Sequence, residues 1–180
     1  MATNFNSVDI TKFKMGAVGA AGTMGSSLTQ YNALKTGTVI LGFEAPATTD
    51  ITIEESNVPF YIAPGDQVME VRMSVLGLAM SDLVTFRGGT YVAGTGGTKD
   101  TWNMPTSPAT ILQSVELTSA NTDGDPVVRN LSKCQIFAFE SQTLTKTDAI
   151  GLDLIIRVLI PVDGSGVPQT PVSIEGAVVA

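Results

Sequence analysis

The side chains that most often carry catalysis are nearly absent from this sequence. It contains no histidine and a single cysteine, Cys134. Without an imidazole, a serine or cysteine nucleophile lacks its usual general base, and most zinc sites lack a ligand. Cys134 lies in the apolar run 134–139, where a small buried thiol is the expected state. The sequence therefore predicts a protein that is not an enzyme, with no catalytic residues and no cofactor.

Three carboxylates near residue 50 are the strongest candidates for a cation site. Asp50, Glu54 and Glu55 offer the oxygen ligands that Ca²⁺ and Mg²⁺ prefer. Their spacing matches no calcium-binding loop, and Glu54 and Glu55 would point to opposite faces of a strand. These residues are better interpreted as a solvated strand end, and no metal site is assigned.

Glycine is concentrated in the stretch 16–25, which has few charges. A phosphate-binding loop requires the pattern GxxxxGK[ST] between a strand and a helix, and no such lysine follows this stretch. Glycine also permits two backbones to approach closely. We therefore predict a flexible arm that contacts a neighbouring subunit through Gly16, Gly19, Gly22 and Gly25.

A second glycine-rich segment, 88–108, carries the only tryptophan, Trp102. Together with Phe86 and Tyr91, its indole could stack on a sugar or a base. Few basic residues lie nearby, which disfavours single-stranded nucleic acid as the ligand. We predict instead that this segment packs on a neighbouring subunit, with Gly88, Gly89 and Trp102 as contacts.

The charge balance indicates a chain that associates with itself. Seventeen acidic and ten basic residues give a net charge of −7, and charged residues make up only 15% of the sequence. An acidic chain is poorly suited to displacing counterions from nucleic acid. Designed soluble surfaces commonly carry about 25–35% charged residues, so a chain with fewer is expected to hide surface against its own copies. The alternative is a neutral monomer with a surface rich in Thr, Ser and Gly.

The sequence has neither a membrane span nor the build of a secretion signal. No apolar run approaches the roughly 20 residues of a spanning helix, and the first residues lack a basic region followed by an apolar one. We expect a soluble protein made in the cytoplasm. Its 180 residues fit one domain, with an N-terminal arm (about 1–25) and a C-terminal extension (about 163–180).

Alternation of apolar and polar residues with a period of two predicts strands in four regions, 51–54, 67–76, 111–118 and 150–160. In the second region, one face consists of Met69, Val71, Met73 and Val75, and the other of Val68, Glu70, Arg72 and Ser74. The fourth region is apolar on nearly both faces, which is typical of a central strand covered on both sides.

Only one helix is well supported by the sequence. Ser81 and Asp82 supply an N-terminal cap and a first-turn acid, and Gly88 with Gly89 ends the helix. A weaker helix candidate covers 26–34. The fold class predicted from these patterns is all-β, with one short helix and long extended loops and arms.

The order of these features resembles the tail tube proteins of tailed bacteriophages, particularly phages of Bacteroidetes-type hosts. The resemblance covers about residues 15–162. Its most specific parts are the Ile-Glu-Glu-Ser segment at 53–56 and the Gly-Gly-Thr at 88–90 followed by Trp-Asn-Met-Pro at 102–105. A glycine-rich segment at 22–29 precedes them, and a strand ending in Leu-Ile-Pro at 159–161 follows.

The resemblance implies a structural role in the virion. Tail tube proteins are β-sandwich or barrel subunits whose hexameric rings stack into a hollow tube, in contact with other tail proteins. Viral DNA passes through an acidic lumen without specific binding, which a net charge of −7 suits. The lumen-lining candidates on the polar faces of strands are Glu54, Glu70 and, less strongly, Asp153.

Two other classes of function remain open from the sequence. One is another virion component of similar build, such as a head decoration or tail completion protein. The other is a carbohydrate-binding β-sandwich that uses Trp102 and Tyr91 to stack on sugars.

Overall fold

The structure, a computed structural model, describes residues 7–35, 37–43, 45, 48–51, 61–64, 67–121, 124–140 and 151–176. Strands dominate these residues, and the all-β prediction is confirmed. The strands are β1 (Ser7–Ala17), β2 (Thr29–Tyr31), β3 (Ile40–Phe43), β4 (Thr48–Ile51), β5 (Tyr61–Pro64), β6 (Met69–Leu76), β7 (Thr90–Val92), β8 (Thr101–Asn103), β9 (Ile111–Asn121), β10 (Gly124–Phe139), β11 (Gly151–Val158) and β12 (Val172–Glu175). The helix α1 covers Asp82–Arg87, and a single 3-10 turn covers Ala20–Gly22.

One antiparallel sheet contains most of the strands. Its strand order is β2-β1-β9-β10-β11-β6-β3. One further strand, β12, pairs with β10 and is not part of this order. The long strand β10 pairs with β9 along one edge, while β12 and β11 share its other edge, at 128–131 and 134–139 respectively. The pairs β4–β5 and β7–β8 form two separate hairpins.

Residues 29–35 close this sheet on itself. After β2 has paired with β1, Leu34 forms an antiparallel bridge with Val75 of β6. The Lys35 amide donates to the Ser74 carbonyl at 2.9 Å, and the Leu76 amide donates to the Ala33 carbonyl at 2.7 Å. Because one continuous segment contacts both β1 and β6, the sheet curves into a barrel-like unit.

The inside of this curved sheet is the hydrophobic core. The alternation predicted for β6 is confirmed, since Val71, Met73 and Val75 are buried on one face. The same holds for Leu152, Leu154 and Ile156 of β11, which lies between β10 and β6 as a central strand. Phe86 of α1 packs edge-on against Tyr31 of β2 with 5.0 Å between ring centroids, so the helix is anchored to this core.

The helix begins and ends where the sequence predicts. The predicted cap by Ser81 is wrong, because its side chain makes no capping hydrogen bond. The Asp82 side chain instead accepts a hydrogen bond from the Ala79 amide at 3.0 Å, and Gly88 ends the helix with φ +73°. The weaker helix candidate at 26–34 is wrong, because Thr29–Tyr31 is the strand β2. Extended backbone there pairs with β1 and places the Tyr31 ring in the core beside Phe13 and Phe86.

The terminal segments differ from the arms that the sequence predicts. Within the predicted N-terminal arm, Ser7–Ala17 forms β1, which is paired on both edges with β2 and β9. Register shifts between Val8, Ile10 and Lys12 break its alternation, which hides the strand in the sequence. The C-terminal extension folds back on the sheet, where β12 pairs with β10.

Candidate functional site

The most distinctive surface is the side of β3, β6, β11 and the end of β10 that faces away from the core. Strand pairing aligns its side chains in rows, with Ile40 opposite Arg72 and Arg72 opposite Ile155. Ile155 in turn lies opposite Phe137. We call this surface the outer face, and it consists of Ile40, Glu70, Arg72, Ser74, Gln135, Phe137, Phe139, Asp153, Ile155 and Arg157.

Glu70 lies at the centre of a charge cluster on the outer face. Its two carboxylate oxygens accept hydrogen bonds from Nε of Arg72 at 2.5 Å and from Nε of Arg157 at 3.1 Å. These bonds, that of Arg72 first, lower the pKa of Glu70 against the opposing effect of burial. The Glu70 side chain is only 11% exposed, whereas those of Arg72 and Arg157 are 61% and 58% exposed. The cluster of three residues therefore presents one net positive charge to its surroundings.

Asp153 lies on the same face, on the strand next to Glu70. Its carboxylate accepts a hydrogen bond from the Ser74 hydroxyl across the β6–β11 pair. The structure thus brings together two of the three predicted lumen-lining residues. Their two negative charges are balanced by the two arginines of the cluster, so this face is not acidic. The third candidate, Glu54, lies outside the described residues.

Apolar side chains surround this charge cluster. Ile40 is 59% exposed, and Phe137 and Phe139 are about 40% and 39% exposed. The Arg157 guanidinium carbon lies 5.7 Å from the centre of the Phe137 ring, within the range of a cation–π contact. A large, partly apolar surface with few charges is typical of protein interfaces.

Of the four glycines predicted as arm contacts, Gly16 lies near the end of β1 and the other three lie in the compact loop that follows. A Cβ on Gly16 would lie 2.2 Å from the Ser27 carbonyl oxygen, and one on Gly25 would lie 2.1 Å from that of Ala17. Gly19 and Gly22 approach their neighbours similarly, at 2.6 Å from the Met24 carbonyl oxygen and 2.7 Å from Pro161 Cβ. Contacts within one chain therefore account for these glycines, and a role between subunits stays a prediction.

Gly88, Gly89 and Trp102 lie together where α1 meets the β7–β8 hairpin. The Trp102 indole N–H donates to the Gly88 carbonyl at 2.9 Å, and the Arg87 guanidinium lies 5.1 Å from the ring centre. Gly89 has φ +86°, and a Cβ there would lie 2.2 Å from the Asn103 carbonyl oxygen. These contacts hold the hairpin against its own chain, and they restrict the indole's freedom to stack on a sugar.

In the C-terminal extension, the sequence predicts a linker at 162–171 and a short strand at 172–179. The strand is confirmed by β12, whereas the order of the segment before it was not predicted. We call residues 160–176 the C-terminal lobe. Pro161 is fully buried, and the Gln169 amide donates to its carbonyl at 2.8 Å. The Asp163 carboxylate accepts hydrogen bonds from the backbone amides of Val167 and Ser165. These bonds fold the loop and lower the pKa of Asp163. The clustering of Gly and Pro in this region indicates a linker, and gives no signal of these long-range bonds.

The cysteine and the acidic residues are possible sites of chemistry among the described residues. Cys134 is fully buried, and burial raises the pKa of its thiol to about 12. Among these residues, no group of three or more Cys, Asp or Glu side chains is arranged to hold a metal ion. No helix in the described part of the chain is long and apolar enough to cross a membrane. No family model matches the chain, and no curated protein is significantly similar to it.

Proposed function

We propose that this chain is a structural subunit of a bacteriophage tail tube, whose rings stack into a hollow tube through which DNA passes. The observation that carries the proposal is the outer face, a broad sheet surface of exposed Ile and Phe side chains around a compensated charge cluster. Such a surface is suited to burial against another protein. The number of six copies per ring comes from the sequence resemblance.

The composition of the whole chain supports the same proposal. Only 15% of its residues are charged, and 43% are apolar. The exposed apolar side chains also include Val92 and Met104 of the hairpin region and Ile160 and Ile174 of the C-terminal lobe. Subunits that are surrounded by copies of themselves can carry such a surface without aggregating at random.

The proposed acidic lumen is supported by the net charge of −7. Like charge on the wall repels the phosphate backbone and lets DNA pass without adhering. On the outer face, Arg72 and Arg157 offset Glu70 and Asp153, so this face contributes no net negative charge. The lumen charge must then come from other acidic residues, of which Glu54 is the remaining candidate.

Electron microscopy of the purified protein at high concentration tests the proposal. We expect hollow filaments or stacked rings, with six-fold symmetry in end views. A protein that stays monomeric at high concentration, with or without added salt and tail extract, would contradict the proposal. Isolated trimers would favour a head decoration protein. A monomer retained on polysaccharide resin, and released by Trp102→Ala, would favour a carbohydrate-binding domain.

A further inference from the structure

We propose that the outer face of one copy is covered by the C-terminal lobe of a second copy, in a head-to-tail contact. The inference rests on the proposed function in one respect, namely that the chain associates with itself. It specifies which two surfaces meet.

The C-terminal lobe is held in a fixed shape by its own chain. The Asp163 amide donates to the Val167 carbonyl at 3.0 Å, which closes a tight loop. The Ser132 amide of β10 donates to the Pro171 carbonyl at 3.0 Å, and β12 then pairs with β10. A surface ordered before binding loses little conformational entropy when it docks.

This ordered lobe leaves large apolar side chains in contact with solvent. Ile160 and Ile174 are 60% and 49% exposed in the single chain. Val162 and Val167 are exposed as well. Because the bonds to β10 fix the position of the lobe, these side chains remain accessible to a second molecule.

The acidic residues of the lobe are complementary to the exposed arginines of the outer face. Residues 160–176 contain two acids, Asp163 and Glu175, and no lysine or arginine. On the outer face, Arg72 and Arg157 bind Glu70 through their Nε atoms. Their side chains are 61% and 58% exposed, so a carboxylate of a second copy can reach the guanidinium groups. An acidic, apolar lobe therefore matches an apolar face that has no net charge and whose two arginines are more exposed than the Glu70 carboxylate between them.

The two surfaces are different parts of the same chain, which determines the kind of assembly. A contact between unlike surfaces repeats from copy to copy and produces rings or filaments, whereas a self-complementary contact stops at a dimer. In such an assembly Glu70 and Asp153 lie between subunits, and the channel wall is formed elsewhere.

Two single substitutions each disrupt one of the two surfaces and leave the other intact. Ile40→Lys places a charge in the outer face, and Ile174→Lys places one in the C-terminal lobe. Both positions are about half exposed or more, so each variant is expected to fold, which circular dichroism verifies. Met80→Lys is the matched control, since Met80 is 44% exposed just before α1 and belongs to neither surface nor to the segment 88–108.

Sedimentation velocity of the variants, alone and mixed in equal amounts, tests the inference. For Ile40→Lys and for Ile174→Lys alone, we expect the association constant to fall at least tenfold. The equal mixture of the two is expected to form a heterodimer that does not grow into larger assemblies. That dimer uses the intact lobe of the Ile40→Lys chain and the intact face of the Ile174→Lys chain. Met80→Lys is expected to assemble as the wild type does.

The outcomes distinguish this inference from the proposed function. Wild-type tubes together with variants that polymerise normally would overturn the inference alone, and would leave the outer face to a different protein. Variants that assemble no better when mixed than when alone would also overturn it, because the two surfaces would then not be partners. A heterodimer from variants whose wild type never forms tubes would support the contact and overturn the tube. A wild type that is monomeric at every concentration would overturn both.

Discussion

At the scale of single residues, Glu70 has the most constrained electrostatic environment on the outer face. Two arginines from β6 and β11 bind its carboxylate, and both bonds favour the ionised form. The sequence predicts that Glu70 and Arg72 share a face, because they are two residues apart on one strand. It could not predict the bond to Arg157, which depends on the register that places Arg157 opposite Glu70.

The pH dependence of stability tests this arrangement. Since the folded-state pKa of Glu70 is lowered, its contribution to stability is complete above the unfolded value of about 4.3 and is lost as the pH falls through the folded value. We expect Glu70→Gln to lower the free energy of unfolding by about 1 kcal/mol at pH 7. The effect is this small because both arginine partners are largely exposed, and exposed ion pairs contribute little. The difference from the wild type should shrink towards zero as the pH falls below 4.

Urea unfolding at several pH values, at low protein concentration, gives the measurement. Glu175→Gln is the control, because this exposed carboxylate accepts one hydrogen bond from the Asn130 side chain and has no arginine partner among the described residues. We expect only a small change in that variant. A Glu70→Gln effect of the same size at pH 7 and pH 3 would exclude the ion pairs as its cause.

At the scale of elements, the sequence predicted those strands whose alternation is unbroken. The strands β6, β9 and β11 and the helix α1 follow from local patterns. The strand β1 was hidden because bulges interrupt its alternation and glycines follow it, and the pairing of β12 with β10 involves residues about 45 positions apart. Element type is set locally, whereas partners and register are set by packing across the whole chain.

The glycine at the start of the β7–β8 hairpin is a sharp test at this scale. Gly89→Ala forces a side chain into left-handed backbone, at a cost of about 1–2 kcal/mol, and towards the Asn103 carbonyl oxygen 2.2 Å away. We expect the two effects together to lower the free energy of unfolding by about 3 kcal/mol. The fluorescence of Trp102, the only tryptophan, reports the hairpin, and circular dichroism reports the sheet.

Two other glycines serve as matched controls. Gly96 has φ +61° with nothing within 4 Å of an added Cβ, so Gly96→Ala is expected to cost only about 1 kcal/mol. Gly164 has open space and no left-handed backbone, and Gly164→Ala is expected to be neutral or to stabilise by up to about 0.5 kcal/mol. If all three substitutions had equal effects, the close approach at Gly89 would have no energetic role.

At the scale of the whole molecule, the closed sheet satisfies its own core and leaves apolar residues on its outside. Closure through residues 29–35 pairs the free edges of β1 and β6. Most of the exposed large apolar side chains of the described residues lie on the outer face, the hairpin region and the C-terminal lobe. For the proposed assembly, this fold provides a core within each copy and apolar surface to bury between copies, provided that the copies can approach each other.

That approach is opposed by the net charge, and salt should therefore speed assembly. Two copies with −7 each repel by about 5 kcal/mol without screening, if their centres are about 40 Å apart at contact. Screening reduces this to about 1.3 kcal/mol at 0.01 M salt and to nearly zero at 0.15 M. The contacts between the lobe and the outer face act at a few ångströms and are screened less. We expect light scattering to show assembly about tenfold faster at 0.15 M than at 0.01 M salt.

The variant Lys12→Glu changes the net charge to −9, since −7 − 2 = −9, without altering the lobe or the outer face. Repulsion scales with the product of the two charges, so this variant should assemble more slowly at 0.01 M and depend more steeply on salt. Near 0.15 M the two proteins should assemble at similar rates, because the added repulsion is then screened. If both proteins instead assembled faster at about 0.01 M than at about 0.15 M salt, attraction between the arginines and the acidic lobe would govern the encounter. In that case the net charge would have no part in controlling when the subunits join.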